Sequence, residues 1–251
     1  MRLASLGSGS RGNATLVQHQ ETTLLVDNGF SLRKFCQRLQ RFEMSPEDID
    51  AVLLTHEHSD HSGGIARLCA NYGIPLWTAV GTARAVLPPE FEYNMLVADH
   101  PVTIGALEIH PITVPHDANE PLQFVFREVN GAKQLGILTD TGHITSHIVK
   151  AYDQLDGLLL EFNYDPQMLQ NGPYPMGLKQ RVGGKHGHLS NLQSVELLQK
   201  IDTSRLSCLI AAHISENNNA TAIVSDLIAG LSDVPVPVLA HQEEGFDWIV
   251  V

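Results

Sequence analysis

The segment Leu54-Thr55-His56-Glu57-His58-Ser59-Asp60-His61-Ser62-Gly63-Gly64 gathers three imidazoles and a carboxylate into one short stretch. On a helix, positions i and i+2 point nearly opposite ways. His56 and His58 can therefore grip one cation only from an extended or looped backbone, where alternate side chains share a side. Asp60 and His61 are adjacent and diverge, so they are free to serve a second ion. Imidazole with carboxylate suits zinc, manganese or iron, and a hydrolytic site keeps one position open for water. Gly63-Gly64 is expected to let the chain turn tightly into a following helix. The bland alternative is a polar surface loop with fortuitous histidines, which this spacing at the end of an apolar strand disfavours.

That strand is Ala51–Thr55, apolar up to its last residue and so expected to be covered on both faces. Around it, short apolar runs alternate with amphipathic stretches, the pattern of an α/β architecture. Ala14–Gln18 and Thr22–Asp27 read as strands and Ser31–Arg41 as a helix. Ser45-Pro46-Glu47-Asp48 carries a cap residue, a proline and two acids, the start of another helix. Leu122–Val129 and Ala132–Thr139 flank Asn130-Gly131, a pair that tolerates positive φ and predicts a tight hairpin. Leu158–Glu161, Cys208–Ala212 and Val236–Leu239 read as strands, Leu192–Ile201 and Ala220–Leu231 as helices. Packed sheets covered by helices fit this order better than one doubly wound parallel sheet.

The chain has 251 residues, 43% apolar and 18% charged, without tandem repeat or linker, so one domain over 1–251 is expected. Three widely spaced cysteines, Cys36, Cys69 and Cys208, argue against a disulfide framework and a thiolate zinc site. Cys69 and Cys208 read as small buried hydrophobes. With no long apolar run, the expected compartment is the cytoplasm. A net charge of −12 argues against extensive non-specific binding of nucleic acid, though not against a local basic funnel beside bound cations.

His56-x-His58-x-Asp60-His61 resembles the signature of the metallo-β-lactamase superfamily. The resemblance implies an αββα sandwich, two packed mixed sheets flanked by helices, with two divalent metal ions at one edge. It also implies further ligands downstream, which Pro115-His116-Asp117-Ala118, Thr139-Asp140-Thr141-Gly142 and Ala211-Ala212-His213-Ile214-Ser215 supply in the family's order. By this likeness His56, His58 and His116 hold one metal, Asp60, His61 and His213 the other, and Asp140 bridges them. A hydroxide shared by the ions is then the nucleophile. Diiron relatives that reduce oxygen or nitric oxide carry an acid where His58 stands, so hydrolysis is expected over redox chemistry. Gly7-Ser8-Gly9-Ser10-Arg11-Gly12-Asn13, Glu161-Phe162-Asn163-Tyr164-Asp165, Gly187-His188-Leu189-Ser190-Asn191 and His213-Ile214-Ser215-Glu216-Asn217-Asn218 narrow the likeness to the bacterial YycJ/WalJ group. Its members are regarded as 5′→3′ exodeoxyribonucleases linked to DNA repair.

The spacing from His116 to Asp140 is filled mostly by the hairpin, and that from Asp140 to His213 is too short for a large cap domain. Substrate must then bind on the sandwich's own loops. Leu178–His188 contributes Lys179, Arg181 and Lys185 to a Gly-rich stretch that could engage phosphate oxygens, or could serve solubility alone. His188 resembles a histidine that lies near the scissile phosphate in tRNA 3′-processing relatives. It could protonate the leaving 3′ oxygen, or merely precede the helix capped by Ser190 or Asn191. Asp60, also a ligand, and His188 are the expected catalytic groups. Glu161 could orient His188 or bind backbone; Ser8, Ser10 and Asn13 could reach the metal edge or simply make a turn. His143 is a candidate to support the site from behind. His19, His100, His110, His147 and His241 read as ordinary surface or core residues, and Trp77 and Trp248 as core. Two rivals to a DNA exonuclease remain: a hydrolase of a cyclic phosphodiester, thioester or lactone, and a non-catalytic regulatory module. The complete ligand set opposes the second.

Overall fold

Alternation along the strands sets the layers. Leu24, Val26, Ala51 and Leu53 turn to one face of their sheet, Leu25, Val52 and Leu54 to the other, and both faces are buried. The computed structural model describes all of residues 1–251. The first sheet begins with β1 (Arg2–Gly7), β2 (Ala14–His19) and β3 (Thr22–Val26), paired antiparallel. It continues in parallel through β4 (Ala51–Leu54), β5 (Leu76–Thr78) and β6 (Asn94–Met95). The second sheet repeats the plan. β7 (Val102–Ile104), β8 (Leu107–Thr113), β9 (Leu122–Glu128) and β10 (Gln134–Leu138) form an antiparallel meander. β11 (Gly157–Glu161), β12 (Cys208–Ala212) and β13 (Val238–Leu239) extend it in parallel. The last strand, β14 (Phe246–Val250), returns to the first sheet beside β1.

Helices cover the outer faces. α1 (Leu32–Leu39), the short α2 (Ser59–Ser62), α3 (Ile65–Tyr72) and α4 (Val80–Val86) follow strands of the first sheet. α5 (Ser146–Ala151), α6 (Pro166–Asn171), α7 (Met176–Val182), α8 (Asn191–Lys200) and α9 (Thr221–Ala229) belong to the second half. Three apolar cores result. Leu3, Val17, Phe124, Phe126 and Ile210 fill the space between the sheets. Phe35, Leu39 and Leu68 seal the first sheet, and Ile148, Leu197 and Val224 the second. This is the expected αββα sandwich of mixed sheets. Cys69 and Cys208 are buried as expected, and burial pushes their thiols up to about 12 and about 11. No helix is long and apolar enough to cross a membrane.

Three local expectations need correction. The hairpin of β9 and β10 forms, but neither Asn130 nor Gly131 has positive φ. The longer turn is held instead by the Glu128 carboxylate, which accepts the Lys133 N–H at 3.3 Å. Ser45 to Asp48 closes a capping box around a single 3₁₀ turn, Pro46–Asp48, with no helix beyond it. Gly63 and Gly64 are ordinary right-handed positions, so a tight turn is not why they are glycines. A Cβ on Gly64 would lie 2.0 Å from the Phe30 carbonyl oxygen, and one on Gly29 would lie 2.0 Å from that of Asp60. Close approach of two backbones requires both glycines.

Candidate metal centre

β4, β10, β11 and β12 all run toward one edge, and the chemistry-bearing residues sit just past their ends. The loop after β4 carries His56 and His58; α2, capped by His58, carries Asp60 and His61. His116 follows β8, Asp140 follows β10, and His213 follows β12. The backbone around the central loop is pinned from behind. Asn28 N–H donates to the His61 carbonyl (2.8 Å), Gly64 N–H to that of Asn28 (2.8 Å), and Asn13 N–H to that of Asp60 (2.8 Å).

His56 Nε2 and His116 Nε2 each lie 3.2 Å from His58 Nδ1. Nitrogens bound tetrahedrally to one zinc at about 2.0–2.1 Å would stand roughly 3.3 Å apart, so this triad already has the spacing of a metal site. Beside it, His61 Nε2 lies 3.6 Å from Asp60 Oδ2 and 3.3 Å from Asp140 Oδ2, and His213 Nε2 lies 4.0 Å from Asp60 Oδ2. Asp140 stands between the two groups, within reach of His56 and His61 together. The buried atoms Asp140 Oδ2 and His213 Nε2 have no hydrogen-bond partner, a costly arrangement unless a cation meets them. All seven residues expected as ligands are therefore brought together, and their donor set fits divalent metal.

The opposite ring nitrogens are equally informative. His56 Nδ1 lies 2.9 Å from Thr55 Oγ1, whose own proton goes to Asp27. His61 Nδ1 lies 2.7 Å from Asp27 Oδ2, His116 Nδ1 3.0 Å from the Gly187 carbonyl, and His213 Nδ1 2.9 Å from Glu161 Oε1. Each oxygen is placed to accept the ring proton, which leaves the other nitrogen to a metal once one is bound, the support that metal-binding histidines need. Asp27 was missed in the sequence; a strand-end acid followed by Asn28-Gly29 was its only signal. Burial holds His56 well below, and His116 below, the usual imidazole range. Burial lowers His61 and His213 too, but the surrounding acids together outweigh it: Asp140, Asp27 and Asp60 hold His61 well above that range, and Asp140 with Glu161 holds His213 up at about 9. Burial pushes Asp140 up, yet His213 and His61 together bring it well below the carboxylate range.

Asp27, Asp140 and His213 all adopt positive φ (61°, 52° and 54°), a strained backbone for non-glycine residues. At His213 the N–H donates to Ser8 Oγ (2.9 Å) and the carbonyl accepts from Asn163 Nδ2 (3.0 Å). The Gly/Ser loop thus reaches the site: Ser8 holds His213, Ser10 lines the cleft, and Asn13 Nδ2 stands 3.0 Å from His61 Nε2, the nitrogen a metal would take from it.

His188 lies at the rim, its Nδ1 2.9 Å from Glu161 Oε1. Glu161 is fully buried and serves His188 and His213 at once, while its Oε2 accepts the Leu189 N–H (2.9 Å). Burial raises this carboxyl, but the adjacent His188 and His213 bring it down to about 2. Ser190 caps α8, whereas Asn191 is buried against Asn219. His143 supports the neighbouring turn through the Lys185 carbonyl (2.9 Å) rather than a ligand.

The basic stretch is not one loop. Lys179 and Arg181 lie on α7, and only Lys185 sits in the turn beyond it. Lys179 Nζ donates to the Gln170 carbonyl (2.7 Å), and Arg181 Nε to Asp117 Oδ2 (2.5 Å). Burial raises the Asp117 carboxyl, but Arg181 and His116 more than offset it. The centre opens into a cleft of about 450 Å³, on whose floor His58 and Asp60 are the half-exposed members of their triads.

A family profile described as "Beta-lactamase superfamily domain" matches residues 22–214. The metallo-β-lactamase fold protein YhfI from Bacillus subtilis superposes with a TM-score of 0.75 at 15% identity over 99% of each chain, a likeness of fold alone. The chain belongs to the metallo-β-lactamase superfamily. Within it, the chain is 34% identical over 221 residues to the protein named "Exodeoxyribonuclease WalJ" of Streptococcus pneumoniae, covering 85% of this chain and 81% of that one. It is 30% identical over 225 residues to "Exodeoxyribonuclease YycJ" of Bacillus anthracis, covering 87% and 84%, which puts it in the WalJ/YycJ group. Divalent-metal binding comes with that membership, and the paired clusters are where metal fits.

Proposed function

We propose that the chain is a 5′→3′ exodeoxyribonuclease with two divalent metals, one held by His56, His58 and His116, the other by Asp60, His61 and His213. Asp140 reaches both. The observation that carries this reading is the pair of adjoining triads sharing one buried carboxylate, with His188 fixed beside them. The two named exodeoxyribonucleases, alike over most of their length, supply the substrate class. Zinc or manganese bound there, with iron a third candidate, supplies Lewis acidity for a water nucleophile and for the phosphoryl oxygen. The remaining work belongs to the chain. Asp60 and His58 present the open side on which a phosphate arrives. Glu161 accepts the Nδ1 proton of His188, fixing the ring and leaving Nε2 as the nitrogen free for the cleft. Acting as the imidazolium, with both ring nitrogens protonated, His188 passes its Nε2 proton to the departing 3′ oxygen and is left neutral, with Nδ1–H still on Glu161. The setting implied is a single hydrolase domain over residues 1–251 that works in the cytoplasm in DNA repair.

A small-ester hydrolase is favoured by one set of observations: the net charge of −12 and the internal contacts that occupy Lys179 and Arg181. Labelled DNA and bis(p-nitrophenyl) phosphate, each offered with manganese or zinc, separate the readings. Stepwise release of nucleotides from the 5′ end is expected; intact DNA beside a cleaved small ester would replace the nuclease with its rival.

A further inference from the structure

The cleft's lining is of two kinds. One is the imidazoles and carboxylates; the other is Tyr174, Leu178 and Val182, with Arg181 beside them. Leu178 and Val182 stand one turn apart on α7, on the same face of the helix. Leu178 is 37% exposed, Met176 just before it is 68% exposed, and neither joins any of the three cores. The Tyr174 hydroxyl touches only Asn217 Nδ2, at 3.4 Å on the surface. The helix α7 and the Tyr174 just before it thus show apolar and aromatic surface to water beside the candidate metal centre, and Met176 and Leu178 take no part in the fold's cores. Such a wall suits a ligand with a flat apolar part attached to an anionic part.

We propose that Tyr174, Leu178 and Val182 seat the base and sugar of the nucleotide adjoining the scissile phosphate. Arg181 exchanges its Asp117 contact for a phosphate oxygen, so the terminal nucleotide is held out of its base stack at the cleft. This rests on the nuclease reading above and specifies its substrate. A cleft of about 450 Å³ lies within the range of roughly 300–1,000 Å³ for small-molecule sites, so it has room for one terminal nucleotide. A base placed against Tyr174 must leave its helical stack. Charge agrees with this. Lys179 is tied to Gln170 and the chain is acidic, so a long phosphate track has no row of cations to follow. Affinity must then come from stacking, worth roughly ten- to a hundredfold per base on an aromatic side chain.

The test compares kcat/KM of the metal-loaded enzyme for single-stranded oligodeoxynucleotides whose terminal nucleotide is intact or abasic. The intact end is expected to be preferred by about tenfold or more, expressed in KM. In the double variant Tyr174→Ala/Leu178→Ala the preference should fall toward one, and in Tyr174→Phe it should persist, since the ring remains. Arg181→Ala should raise KM for both ends alike and lower the slope of log K against log salt by about one. Independently of any variant, 2-aminopurine in the terminal nucleotide of a phosphorothioate-protected strand should lose fluorescence on binding. DNA cleaved without regard to the terminal base, a preference that survives the double variant, or unchanged fluorescence at saturation would overturn the base wall alone. Hydrolysis of bis(p-nitrophenyl) phosphate with every DNA left intact would overturn the nuclease reading and the wall with it.

Discussion

Each buried histidine of the centre spends one ring nitrogen on an oxygen and turns the other inward, so the outward oxygens matter almost as much as the ligands. Asp27 is the clearest case, because one carboxylate serves His61 and both the N–H and the hydroxyl of Thr55. Asp27→Ala is expected to lower metal affinity about 10- to 100-fold. The orphaned Thr55 donor should also destabilise the fold by about 1–3 kcal/mol. Metal titration and thermal unfolding of the variant check this; wild-type affinity would show that His61 needs no support. His188→Ala should keep its metals and lose about 10²–10⁴ in turnover, the usual worth of a positioned proton donor. Normal turnover on DNA would remove His188 from the mechanism. At this scale the sequence was legible wherever a residue's role depends on its neighbours. The spacing of His56, His58, Asp60 and His61 and the cap at Ser190 are of that kind. Asp27 and Asp117 escaped because their partners, His61 and Arg181, lie far along the chain and meet them only in the fold.

Elements convert these pairings into geometry by holding strand ends level. Leu138, Leu160 and Ala211 lie side by side across β10, β11 and β12, so the residues that follow emerge at one edge. In the first sheet β3 and β4 are level through Val26 and Leu53, and close backbone approach at Gly29 and Gly64 joins the segments that follow them. Gly29→Ala would drive its Cβ into the Asp60 carbonyl oxygen, 2.0 Å away. We expect about 1–3 kcal/mol of destabilisation from that overpacking, with Asp60 displaced and less metal retained. Thermal unfolding with metal analysis tests it; wild-type values for both would mean the contact is soft. Helices and strands were mostly readable from apolar periodicity. Turns were less so, because the Glu128 carboxylate overrode the local preference of Asn130-Gly131. Likewise the cations of Leu178–His188 read as one basic loop, whereas folding puts two of them on a helix and gives them protein partners.

On the scale of the whole molecule, two sheets of like plan meet over a shared apolar core, and the candidate centre draws residues from both. β4 supplies the central loop, while β8, β10 and β12 supply His116, Asp140 and His213. Strand composition revealed the layers, but the order of strands depends on pairings between distant segments and was not readable. A centre that joins the sheets couples metal to stability. Metal at a hundred times its dissociation constant stabilises by about 2.7 kcal/mol, or roughly 5–10 °C in Tm for a chain of this size. A chelator should lower Tm by that amount, and zinc or manganese should restore it. An unchanged Tm would mean the sheets are held without metal.

Anomalous diffraction from crystals grown with manganese or zinc tests the paired centre most directly. Two peaks about 3.5–4 Å apart are expected. One should lie among His56, His58 and His116 and the other among Asp60, His61 and His213, with Asp140 reaching both. A single peak, or metal bound away from these side chains, would contradict the account.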